Sequence, residues 1–82
     1  MPDLFSLATR AAPRQLAVAR AMRDYGLSIG TQTIADVTGM TIKDIRNALA
    51  RMHRQLRVQK IGDGYWELTR AGREWIKEVT RG

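Results

Sequence analysis

Eighty-two residues suffice for one domain around one modest core. The chain has no cysteine, which excludes a disulfide framework and a thiolate metal site and suits a reducing cytoplasm, the expected location. No apolar run approaches the roughly 20 residues of a membrane span, and the N-terminus lacks the basic-then-apolar layout of a signal peptide, so no membrane association is expected.

Asp3 is placed to cap a short helical turn carrying Leu4, Phe5 and Leu7. Pro13 fits the first turn of a helix, where its missing N–H costs nothing. Leu16, Ala19 and Met22, with Val18 and Tyr25 beside them, form a wide apolar stripe, and Gly26 stands where a stop belongs. A first helix is therefore expected over about 12–25. Leu27-Ser28-Ile29 alternates as a short strand before Gly30. Thr31 or Thr33 can cap a second helix over about 32–38.

Ala35, Gly39 and Ile45 stand at relative positions 0, +4 and +10. Two short helices crossing at a tight turn need this spacing: a small residue for close approach, a glycine for the left-handed stop, and a first large knob on the next helix. Thr41 opens the third helix, with Asp44 three residues on as a capping-box-like pair. Ile42, Ile45, Leu49, Met52 and Leu56 recur at spacings of three and four, a core-facing stripe. Lys43, Arg46, Asn47, Ala50, Arg51 and Arg54 fall on the opposite side. The corner spans about 32–55.

Arg57-Val58-Gln59-Lys60-Ile61 and Tyr65-Trp66-Glu67-Leu68 are strand-like runs joined by Gly62-Asp63-Gly64, which predicts a hairpin over about 57–68 with a three-residue loop. Thr69 can cap a last helix over about 70–80, with Ala71, Trp75 and Val79 on one face and Ile76 beside them. The fold class expected is α+β, mostly α, in one domain over residues 1–82.

The net charge of +6 is unevenly placed. Residues 1–42 carry +1 and residues 61–82 carry none. Residues 43–60 carry Lys43, Arg46, Arg51, Arg54, Arg57 and Lys60 against Asp44 alone, or +5. A basic stripe on one element is the electrostatic footprint of a phosphate-binding surface; the plainer alternative is a solvated helix face.

The corner from Thr31 to Met52, the hairpin from Arg57 to Leu68, and the run Tyr65-Trp66-Glu67-Leu68-Thr69-Arg70-Ala71-Gly72-Arg73 come in that order. Together they resemble the winged helix-turn-helix family of DNA-binding regulators, over about residues 12–80. The run resembles that family's strand–leucine-threonine–helix junction, with a glycine three residues on. The resemblance implies a three-helix core, a β-hairpin wing and a C-terminal helix. It also implies a third helix in the major groove, with the wing along the backbone or neighbouring minor groove. By position, Thr41, Lys43, Arg46, Asn47 and Arg51 would face the groove, and Gln59, Lys60 and Asp63 would lie on or near the wing.

The sequence departs from the family pattern twice. Arg54-Gln55-Leu56 stands where many members have a glycine, so the third helix can run longer. Asp44 lies near the groove-facing side, where it repels phosphates unless it is occupied in capping.

Arg46 and Asn47 are the candidate base readers: arginine matches guanine O6 and N7, asparagine matches adenine N6 and N7, each worth about 1–3 kcal/mol of discrimination. Thr41 and Lys43 at the helix start suit phosphates, and Arg51, Arg54, Arg57 and Lys60 suit phosphate clamps. His53, the only histidine, has no cysteine or second histidine to share a metal. Glu74, Lys77 and Glu78 read as a solvated helix face. No phosphate loop, dinucleotide fingerprint or catalytic constellation is present, so no enzyme or cofactor is expected, and no small-molecule ligand is evident. Trp66 and Trp75 read as core or interface residues, with Tyr65 left exposed.

The function expected is sequence-specific binding of double-stranded DNA by a small transcriptional regulator of phage, prophage or plasmid type, no effector domain accompanying it in these residues. A homodimer on paired half-sites is expected, joined through Leu4, Phe5 and Leu7 or through the Trp75–Val79 face. The alternatives are a winged-helix protein-interaction module, such as a small inhibitor or adaptor, and an architectural DNA binder without sequence preference.

Overall fold

A computed structural model describes residues 13–26 and 28–80. The expected cap at Asp3 with its apolar neighbours, and Leu27 of the expected short strand, lie outside the described residues. In chain order the elements are α1 (Pro13–Tyr25), β1 (Ile29–Gly30), α2 (Thr31–Thr38), α3 (Ile42–Arg54), β2 (Val58–Ile61), β3 (Tyr65–Leu68) and α4 (Arg70–Thr80). The fold is α+β and mostly helical, with a three-stranded antiparallel sheet in the order β1-β3-β2.

Helix α1 begins at Pro13 and stops at Gly26, which takes φ 81° and donates its N–H to the Met22 carbonyl at 3.1 Å. Val18, Ala19 and Met22 are buried as the stripe predicts, and Leu16 is half-buried. Tyr25, at the helix's last position, is exposed instead of joining them.

Gly30 is a strand residue opposite Tyr65 and at the same time the N-cap of α2, so the chain passes from sheet to helix without a loop. Neither Thr31 nor Thr33 caps that helix. The Thr31 N–H donates to the Gly64 carbonyl at 3.3 Å, which ties the start of α2 to the hairpin loop instead.

The corner forms as the sequence predicts. Gly39 takes φ 74° and donates to the Ala35 carbonyl at 2.8 Å, Ala35 is buried, and Ile45 is fully buried. Thr41 caps α3, its hydroxyl accepting from the Asp44 N–H at 3.1 Å. Ile45, Leu49 and Met52 join Val18, Ile29, Ile34, Val58 and Ile76 in one cluster. Each such side chain contributes about 1.5–3 kcal/mol by leaving water. Helix α1 packs chiefly against α3 and α2 and also touches α4.

Helix α3 does not run on. It ends at Arg54, and Leu56, expected in the core stripe, is 71% exposed with φ 61°. The Leu56 N–H donates to the His53 carbonyl at 3.0 Å and the Arg57 N–H to the Met52 carbonyl at 2.9 Å. That pair of bonds is a Schellman stop, with a leucine in the left-handed position usually given to glycine.

The last helix also differs in phase. Gly72 and Ile76 are buried, Trp75 and Val79 are half-buried, and Ala71 is exposed. The cause is a close approach: a Cβ on Gly72 would sit 2.0 Å from the Arg57 carbonyl oxygen. Thr69 sets this junction. Its N–H donates to that same carbonyl at 3.0 Å, and its hydroxyl donates to the Leu56 carbonyl and accepts from the Gly72 N–H at 3.1 Å. Among the described residues, no helix is long and apolar enough to cross a membrane.

Candidate nucleic-acid interface

Burial of Ile45, Leu49 and Met52 fixes the rotation of α3, and the opposite side follows from the 3.6-residue period. Lys43, Arg46, Asn47, Ala50, Arg51 and Arg54 are all exposed there. The period places Lys43, Asn47, Ala50 and Arg54 along the centre of this face, with Arg46 and Arg51 on its two flanks. Arg46, expected near the middle, is thus on the hairpin side. Among the described residues, none of Lys43, Arg46, Arg51, Arg54 and Lys60 is in an ion pair.

Asp44, the one acid of this segment, is drawn off the face. Its side chain is half-buried and pairs with Arg14 of α1, Nη1 to Oδ1 at 3.7 Å, while its backbone N–H is held by Thr41. Thr41 itself is exposed at the helix start. Sequence reasoning missed Arg14, because the contact joins two helices and leaves no local spacing to read.

The hairpin stands beside α3. Val58 pairs with Leu68 at its buried base, Lys60 pairs with Trp66, and Ile61 with Tyr65 towards the tip. Gly62 and Gly64 take φ 62° and 79°, which closes the loop around exposed Asp63. Trp66 points towards α3: its ring meets that of His53 edge-on, centroids 5.7 Å apart at 78°. His53 is otherwise exposed. Tyr65 is exposed, as expected.

Between α3 and the hairpin lies an open depression of about 300 Å³, lined by Thr31, Arg46, Leu49, Ala50, Lys60, Gly64 and Trp66. It brings together two of the sequence-predicted residues, Arg46 and Lys60, from different elements. No motif announced it, though the Lys60–Trp66 pairing follows from the hairpin register.

Two predicted residues are otherwise engaged. The Gln59 side-chain amide donates to Glu67 across the strands. Arg57 lies away from the exposed face of α3: its guanidinium stacks over Trp75, 4.1 Å from the ring centroid, and donates to Gln55 Oε1 at 2.9 Å and to buried Gln15 Oε1 at 3.3 Å. Partial burial pushes the Arg57 pKa below its ordinary value, and the charge of Glu78 opposes that shift. This arginine fastens α1, the end of α3 and α4 together. Neither a protein-family model nor a curated protein sequence matches the chain.

Proposed function

We propose that this chain is a winged helix-turn-helix protein that binds double-stranded DNA, laying α3 in the major groove and the β2–β3 hairpin against the sugar-phosphate backbone. The observation that carries the reading is the outer face of α3. Four cations and an asparagine occupy it, nothing apolar larger than alanine interrupts it, and its one neighbouring acid is turned aside to Arg14. An α-helix fits the major groove, and an unpaired cationic face is what a phosphate-lined groove attracts.

Asn47 at the centre and Arg46 on the hairpin flank are the base-reading candidates. Lys43, Arg51, Arg54 and Lys60 hold phosphates, and Thr41 at the start of α3 hydrogen-bonds one. The role is that of a small transcriptional regulator acting as a homodimer, because one module of this size covers a short site.

Selection from a random duplex pool, with affinity measured at two salt concentrations, tests this reading. An enriched palindromic motif is expected. Lys43, Arg51, Arg54 and Lys60 acting on phosphates would weaken binding by about two decades for a fourfold rise in salt. No duplex retained even in dilute buffer would overturn the proposal. Arg46→Ala separates DNA binding from the protein-interaction alternative: it relaxes preference among duplexes in the first case and leaves DNA behaviour untouched in the second.

A further inference from the structure

The depression between α3 and the hairpin has a composition of its own. Arg46 enters from the helix and Lys60 from β2, and among the described residues neither has an ion-pair partner. Among the described residues, no acidic side chain lines the space. The same space is lined by apolar side chains: half-buried Trp66, buried Leu49 and exposed Ala50. Thr31 also lines it.

We propose that this depression binds a small aryl carboxylate. A guanidinium fork matches a carboxylate's two oxygens, and a lysine opposite it adds a mobile second charge. The flat ring of the ligand then covers Trp66 and Ala50, where offset contact with an indole is favourable. An inorganic anion would satisfy the two cations and leave this apolar floor wet. About 300 Å³ is at the lower end of the range for small-molecule sites, which sets the ligand size at one or two rings. The inference does not rest on the duplex reading and is tested without DNA.

Benzoate is titrated into the full chain while backbone and indole N–H signals are followed by NMR, with inorganic phosphate and cyclohexylmethanol as separate arms. Saturable shifts are expected at the Trp66 indole and at residues 46–50 and 60–66, with a dissociation constant on the order of 1–10 mM. The Trp75 indole should stay still. Arg46→Gln and Lys60→Gln each leave an exposed position uncharged, and a dispersed spectrum verifies folding. Each should weaken benzoate about tenfold, and the double variant should abolish saturation. Phosphate acting on the same signals as strongly as benzoate would overturn the proposal, as would cyclohexylmethanol binding equally well. Unchanged benzoate affinity in the double variant would overturn it too.

Discussion

Leu56 is where a single residue contradicts its own pattern. Helical spacing assigns it to the core stripe, yet the backbone turns left-handed there and puts the side chain into solvent. The left-handed conformation costs an L-residue roughly 1–2 kcal/mol, whereas glycine loses about 0.5–1 kcal/mol through its freer unfolded chain. Leu56→Gly should therefore raise stability by about 0.5–1 kcal/mol, read as a higher urea midpoint at unchanged slope. A lower midpoint would show that the exposed leucine has a contact that outweighs its strain. Thr41 is the opposite case, legible from the sequence because capping is local. Thr41→Ala should cost about 1 kcal/mol in the same measurement.

At the scale of elements, α3 was the most legible and α4 the least. The apolar residues of α3 recur at helical spacing, and both its cap and the glycine before it are local signals. Its basic face followed without tertiary knowledge. At the start of α2 the sequence offers two threonines as caps, while the actual cap, Gly30, is held by pairing with a strand more than thirty residues away. In α4 the hydrophobic spacing points to Ala71, Trp75 and Val79. A buried glycine contributes nothing to a hydrophobic pattern, so the approach of Gly72 to the Arg57 carbonyl was invisible. Gly72→Ala should force that junction apart and destabilise the fold by about 3 kcal/mol or more. Calorimetry would show it as a large fall in Tm; a fall of a degree or two would mean the junction yields easily. The contacts of Arg57 are hidden for a related reason: its charge is visible in sequence, but its stacking on Trp75 is not.

For the whole molecule, the uneven charge is the legible property with the largest functional consequence. Five cations, Lys43, Arg46, Arg51, Arg54 and Lys60, stand on α3 and the adjoining strand, free of ion pairs among the described residues. The depression between them was not legible, because it needs the hairpin's position against α3. On the proposed reading these charges do different work. Lys43→Ala should weaken every duplex alike and shallow the salt slope by about one. Asn47→Ala should cost about 1–3 kcal/mol on the preferred duplex and little on others.

The most direct test of the α3-to-duplex claim is an amide NMR titration of the full chain with a duplex in low salt. Perturbations are expected at residues 41–54 and 59–64, with the outer surfaces of α1 and α4 unchanged. Perturbations centred on α1 or α4 while residues 43–54 stay silent would contradict it.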